Sequence, residues 1–317
     1  MRNEPQALTA AARRGPKEAA GTKPCNLCGT PQGRWLSHVN GYPLAQCDNC
    51  RLVYVSQYLG EEELRALYDD SYYHADDRTN PNETHWMTCT EGDGPLFDHV
   101  LNEVGRFQPG GALLDVGCSY GWLLLRARGR GYTPYGVELS RIPYEYCRDE
   151  LKVPVFHGTL EQVNFPDSMF QVITMLNVLE HVPDVTSTLG AVNRLLAPGG
   201  LLALVVPNWV FGWPWIAANR HILRRENLSI GLAVFDVPRH LFLFSPRTVR
   251  SFLERTGFEV LKIYNAPVIR NQNRVKTAMK FGAKIAADVL YHLTLKRFVS
   301  GYSMAAIARK RGPASAP

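Results

Sequence analysis

From residue 112 onward, short apolar runs alternate with amphipathic stretches. Ala112–Val116, Pro134–Glu138, Val153–His157, Phe170–Leu176 and Leu201–Val206 read as strands. Short apolar runs bounded by Gly, Pro or Asp fit strands covered on both faces. Between them, 121–130, 141–151, 184–196 and 245–256 carry apolar residues at helical spacing. Pro95–Phe107 does so upstream, with Leu96, Phe97, Val100, Leu101 and Val104 on one face. Phe258–Tyr264 and Ser303–Ala308 give two further strands. This alternation predicts an α/β fold with a doubly wound, mostly parallel sheet and helices on both faces.

Two segments break the rhythm. Asn208–Arg239 gathers Trp209, Phe211, Trp213, Trp215, His221, Arg224 and Arg225 after the carboxyl end of a strand. Ligands of open α/β sheets sit on that side, so the segment reads as an acceptor pocket, an interface or a lid packed on itself. In Val275–Phe298, Lys276, Lys280, Lys284, Asp288, His292 and Lys296 recur every four residues, with Val275, Met279, Ile285, Val289 and Leu293 on other faces. Such a basic amphipathic helix can pack on the sheet, pair with a partner, or lie on an anionic membrane surface.

The candidate chemistry begins where Ala112-Leu113-Leu114 meets Asp115 and turns through Gly117 to Gly121. Strand, glycine turn and helix form the entry to a nucleotide-type site, where a Cβ would hold a ligand off the backbone. The spacing is G-x-x-x-G after an acid, not the G-x-G-x-x-G of dinucleotide binders. Taken alone it also fits a tight turn with no ligand. Glu138 ends the next strand, at about the interval at which an acid meets a ribose diol.

In series, the glycine loop, Tyr132–Glu138, Phe170–Leu176, Leu179-Glu180-His181-Val182-Pro183-Asp184 and Leu195-Leu196-Ala197-Pro198-Gly199-Gly200 resemble the class I S-adenosylmethionine (SAM) dependent methyltransferases, over roughly residues 95–310. The resemblance implies a Rossmann-like sheet whose last strand inserts antiparallel. It implies SAM as cofactor, its methionine half lined by Asp115, Gly117, Cys118 and Gly121. Glu138, followed by Leu139, would hold the ribose hydroxyls, and Leu160 would lie against adenine. Thr159 stands where the family often places an acid for the adenine amino group. Asn177 would sit near the amino-acid end. The likeness extends to ubiquinone-type O-methyltransferases and sugar C-methyltransferases, where a His in the Glu180-His181 motif lies near the acceptor. His181 is thus the candidate general base, titrating near its reference value of about 6.5, or else a helix cap. Glu180 would orient it or bind the acceptor. His240 and Tyr73 are the other candidates.

The N-terminal region adds Cys25-x2-Cys28 and Cys47-x2-Cys50, separated by 18 residues. Four thiolates at this spacing read as a structural Zn²⁺ ribbon. Two disulfides are the alternative, disfavoured by the absence of a secretory signal in the first residues. Cys89, Cys118 and Cys147 have no such spacing and read as neutral. The expected division is a disordered tail over 1–22, the ribbon over 23–56, a helix and lid segment over 57–94, and a methyltransferase domain over 95–317 with inserts at 208–239 and 272–299. In the lid segment, Tyr72 and Tyr73 either close over SAM or pack at a helix end.

Hydrophobic and charged shares of 45% and 20% are those of an ordinary globular chain, expected in the cytoplasm. The net charge of +6 divides into +3 over residues 1–24, +9 over 270–317 and −6 between them. An acidic body disfavours nucleic acid. The basic end leaves a peripheral membrane contact through 272–299 open. The leading expectation is methyl transfer to a hydroxyl of a sugar, polyketide or lipid-linked metabolite. Sugar C-methylation, or protein or nucleic-acid methylation guided by the ribbon, are alternatives. An NAD-binding or non-catalytic protein is a third class, disfavoured by the missing dinucleotide fingerprint. Acceptor identity and oligomeric state are not readable.

Overall fold

The computed structural model describes residues 23–31, 33–57, 63, 94–221, 227–228, 235–267, 274–296 and 298–312. The 1–22 tail, nearly all of the 57–94 segment with Tyr72 and Tyr73, Cys89, Arg224 and Arg225 lie outside them.

Three short strands open the described chain: β1 (Arg34–Val39), β2 (Tyr42–Gln46) and β3 (Val53–Val55). Helix α1 (Gly94–Gly105) leads into β4 (Gly111–Val116), α2 (Trp122–Arg128), β5 (Tyr132–Glu138), α3 (Arg141–Asp149) and β6 (Val155–His157). A single 3-10 turn, Leu160–Gln162, precedes β7 (Phe170–Leu176), α4 (Val185–Leu195) and β8 (Leu196–Pro207). The rest comprises α5 (Trp209–His221), β9 (Asn227–Leu228), β10 (Phe242–Leu243), α6 (Pro246–Arg255), β11 (Phe258–Asn265), α7 (Arg274–Leu293) and β12 (Ser303–Lys310).

The large sheet runs β11-β12-β8-β7-β4-β5-β6. Strands β6, β5, β4, β7 and β8 pair in parallel. Strand β12 lies antiparallel to both β8 and β11, as the resemblance implied. The centre of the sheet is apolar on both faces. Leu113, Leu114, Val172, Ile173, Leu202 and Val206 are buried, each such side chain contributing about 1.5–3 kcal/mol through burial. Helices start where the sequence offers caps. Asp184 accepts the Ser187 amide at 3.0 Å, and Ser245 accepts that of Thr248 with Pro246 as the first helical residue.

The small sheet was not foreseen as a unit. Its order is β10-β3-β2-β1-β9, so β9 from within the 208–239 insert and β10 from just after it flank the three N-terminal strands. The hairpin turns at Asn40-Gly41, whose φ values of 53° and 86° suit a type I′ turn. β3 and β10 pair antiparallel, Phe242 opposite Tyr54 and Leu243 opposite Val53.

Among the described residues, the aromatics at the start of the insert pack on one another and on the body. Trp209 packs on Trp213 and Phe235, and Phe211 on Tyr302. None of Trp209, Phe211 and Trp213 lines the cavity described below. Helix α7 meets the body along one face. Ala287 and Tyr291 face the body, while Ile285, Leu293 and, just beyond the helix, Leu295 are 63%, 77% and 81% exposed. The polar pair Lys284–Asp288 lies partly inward, with Asn265 donating to Asp288 at 3.1 Å.

Candidate active site

A cavity of about 580 Å³ opens at the carboxyl ends of β4, β5 and β7, the ligand side of an open α/β sheet. Asp115, Gly117, Cys118, Glu138, Leu139, Thr159, Leu160, Asn177, Glu180, His181 and His240 all line it. Tyr73 lies outside the described residues. Gly121 is not in the wall. It starts α2 with a φ of 72°, and a Cβ there would come within 2.8 Å of Leu151 Cδ1 and 2.9 Å of Cys147 Sγ. Gly117, at φ 70°, would place a Cβ 2.6 Å from Val178 Cγ2. Both glycines are therefore required by the backbone and by protein neighbours, whatever a ligand asks of them.

One half of the cavity suits a nucleoside cation. Glu138 is buried, and its two carboxylate oxygens accept the amides of Ser119 and Ser140, each at 2.8 Å. Each oxygen keeps a further lone pair for a diol. Burial raises its pKa, against the lowering effect of those amides. Asp115 is pushed up to about 7, by burial first, with the Thr174 hydroxyl bond at 2.6 Å opposing and the Glu138 charge adding. An arriving cation would favour both carboxylates. Leu160 begins the 3-10 turn beneath this half. Thr159 donates its amide to Gln162 Oε1 at 2.9 Å, while Glu161, two residues on, supplies an acid in the wall that the sequence reading missed. Trp122 was missed too. Its buried indole N–H has no hydrogen-bond partner among the described residues, and it lines the cavity beside Leu96 and Phe97 of α1. The orphaned donor and the two carboxylates fit a ligand bearing both an anionic and a cationic group, as SAM does.

The other half holds Glu180, His181 and His240, with Asp236 beside them. His181 Nδ1 lies 3.0 Å from the Arg239 carbonyl. A carbonyl only accepts, so Nδ1 carries the proton and Nε2 offers a lone pair. Nε2 is 3.9 Å from Glu180 Oε1. The rings of His181 and His240 meet edge to face, centroids 4.8 Å apart at 63°. Burial, and then the neighbouring His240, push His181 down to about 3. The imidazole is thus neutral at ordinary pH, and the rate limb expected near its reference value is corrected by that burial. Glu180 is buried with no hydrogen bond to either oxygen among the described residues, and burial pushes it up to about 8. An orphaned carboxyl beside two imidazoles is also a donor set for a divalent cation, the ligating atoms lying within 4.8 Å of one another.

The four cysteines come together outside the cavity. Cys25 and Cys50 Sγ are 3.4 Å apart, Cys28 and Cys47 Sγ 3.5 Å, and all four atoms lie within 4.8 Å of one another as free thiols. Four thiolates around zinc stand about 3.8 Å apart for a Zn–S bond of about 2.3 Å, so the set fits the ion. The amides of Gly29 and Arg51 bond back to the carbonyls of Cys25 and Cys47 at 2.8 and 3.0 Å, making two matching knuckles.

Residues 91–263 match the family model described as a methyltransferase domain. A ubiquinone biosynthesis O-methyltransferase of Alkalilimnicola ehrlichii is 34% identical over 110 residues, 33% of this chain and 44% of that protein. Its counterpart in Pseudomonas syringae is 34% identical over 146 residues, 44% of this chain and 53% of that protein. The match thus spans about half the length of these curated relatives. Among solved structures, a SAM-dependent methyltransferase from Mesorhizobium loti aligns at 18% identity over 69% of this chain and 98% of that one, with a TM-score of 0.47. The family match, running over more than half of the sequence and centred on the Asp115 loop and the Glu180-His181 motif, shows that the chain belongs to the methyltransferase domain family and carries a class I SAM-dependent methyltransferase domain.

Proposed function

We propose that the protein transfers a methyl group from SAM to a hydroxyl of a small, largely apolar acceptor held against Glu180, His181 and His240. The observation that supports this most is the Arg239 carbonyl 3.0 Å from His181 Nδ1, which assigns the proton to Nδ1 and makes Nε2 the basic nitrogen of this cavity-lining residue. When bound, SAM supplies a methyl group on a sulfonium leaving group. Asp115, Glu138 and Trp122 would hold its two halves. His181 Nε2 takes the hydroxyl proton as the acceptor oxygen gains carbon, and His240 and Glu180 fix the imidazole. An acceptor seated beside the buried Glu180 and His240 would keep water from the reacting line. The O-methyltransferase names of the relatives agree with an oxygen acceptor; sugar, polyketide and lipid-linked alcohols remain the classes to compare, with carbon methylation as the rival outcome.

A second reading shares the site: a divalent cation on Glu180, His181 and His240 would bind the hydroxyl and lower its pKa. The orphaned Glu180 carboxyl favours it. The four cysteines would hold Zn²⁺ in a closed structural site. The exposed apolar stripe of α7 with its basic flank would rest on an anionic membrane. Lys284 of that helix reaches the cavity wall, which would deliver a lipid-soluble acceptor to the site.

The test is SAM titration, followed by methyl transfer to a panel of alcohols, phenols and activated carbon acids, with and without a chelator. SAM binding with methylated oxygen products and a dead His181→Ala supports the base. Activity abolished by chelation and restored by Mg²⁺ supports the metal. No SAM binding overturns the proposal.

A further inference from the structure

We infer that the cysteine ribbon is a positioning element of the active site, and that Asn26, inside its first knuckle, sets the loop carrying Glu180 and His181. This rests on the proposed function of that loop. Asn26 sits between two of the four thiols yet bonds away from them. Its Oδ1 accepts the amides of Val185 and Thr186 at 3.0 and 3.3 Å. Its Nδ2 donates to Asp184 Oδ1 at 2.9 Å, and its carbonyl accepts the Thr186 hydroxyl at 3.1 Å. Two side chains, 158 residues apart in sequence, therefore cap α4 together. Lys23 adds a bond to the Pro183 carbonyl at 3.0 Å.

The ribbon grips the other side of the site as well. The Val55 amide donates to the Leu241 carbonyl at 2.9 Å, and the Leu241 amide to the Glu180 carbonyl at 2.8 Å. Asn40 Nδ2 donates to the Val237 carbonyl at 3.0 Å. Glu180 is thus tied through Leu241 to β3, and His240, one residue before Leu241, moves with that tie. The loop 178–184 and the segment 237–241 both hang on ribbon atoms, and the imidazoles they carry meet in the cavity. A module that only recognised a partner would have no need of bonds to both.

The experiment uses the intact protein and compares wild type, Asn26→Ala, Asn26→Asp, and Asn26→Asp combined with Asp184→Asn. Three quantities are read: the ¹⁵N signature of the His181 tautomer, hydrogen exchange over 178–186, and the SAM dissociation constant. Losing the cap should speed exchange there by roughly threefold to thirtyfold and mix the two tautomers, with SAM affinity within about twofold of wild type because no ribbon atom borders that half. Asn26→Asp should do the same, as its carboxylate faces that of Asp184. The paired substitution should restore the wild-type signature, since the new amide donates to the new carboxylate with the direction reversed. If Asn26→Ala does not fold, Asn26→Ser carries the same comparison. An unchanged tautomer and unchanged exchange in Asn26→Ala, or no recovery in the pair, would overturn the inference. Absence of SAM binding in wild type would instead overturn the proposed function.

Discussion

His181 meets His240 edge to face, ring centroids 4.8 Å apart, although a strand, a helix and the aromatic insert separate them in sequence. On the proposed reading the two share one proton path, so their losses should not add. His181→Ala should cost about 10²–10⁴ in the rate of methyl transfer, His240→Ala less, and the double variant little more than His181→Ala alone. Single-turnover rates of the three variants check this. Additive losses would separate the two residues.

Glu138 holds the loop amides of Ser119 and Ser140 while facing the cavity. Glu138→Ala should lose charge-assisted bonds of about 1.5–3 kcal/mol, a roughly ten- to hundredfold weaker SAM complex. Calorimetric titration measures it. An unchanged constant would place the ribose elsewhere.

Asp115 gives a pH signature. Burial first, then the Glu138 charge, raise its carboxyl to about 7 despite the Thr174 bond. A cationic ligand wants the carboxylate, so binding below pH 7 must expel a proton. The dissociation constant should rise about tenfold per unit as pH falls below 7 and be flat above it. Asp115→Asn should abolish the slope. In the free protein the raised pKa favours the protonated fold. That contribution is complete below the unfolded value of about 3.9 and fades as pH rises through 7, so Asp115→Asn should gain thermal stability relative to wild type across that window. Parallel melting curves at pH 4 and pH 8 would deny this.

The thiol cluster predicts bound zinc. Metal analysis should find about one ion per chain, and Cys25→Ser should lose it and lower the melting temperature. SAM affinity should change little, because the cluster borders neither Glu138 nor Asp115. Purified protein with four oxidised cysteines and no metal would refute it.

Helix α7 predicts binding to anionic vesicles. Sedimentation with phosphatidylglycerol vesicles should retain the protein, with phosphatidylcholine alone much less so, and salt should weaken retention. Ile285→Asp with Leu293→Asp should abolish it. Equal retention by both lipids, or by neither, would remove the membrane.

Much of the large sheet could be read from sequence because each strand announces itself locally. Phe170–Leu176 has its expected bounds, and the helix Val185–Leu195 begins and ends within one residue of the 184–196 that the apolar period places. The small sheet could not be read that way. Its hairpin carried a usable signal in Asn40-Gly41, but the pairing of β3 with Phe242 and Leu243 depends on chain neighbours brought together only by the fold. The same holds for the site. Glu138 and His181 sit at strand ends, where position in the motif is informative. Trp122 follows a glycine loop already in view, yet nothing local marks its N–H as unpartnered. Helix α7 was legible only as two faces: periodicity does not say which one meets the protein, and here Asn265 draws Asp288 inward while Ile285 and Leu293 look out.

Strand β12 lies between β8 and β11 rather than at an edge. Ribosomes make it after every other strand described here. Until residues 303–310 emerge, β8 exposes a long unpaired apolar edge and β11 has no sheet to join. The nascent chain must therefore wait, with an open seam in its middle, for its last strand. A frameshift or stop codon shortly before Ser303 would split the sheet rather than trim it, and would leave a sticky edge for chaperones or proteases to find.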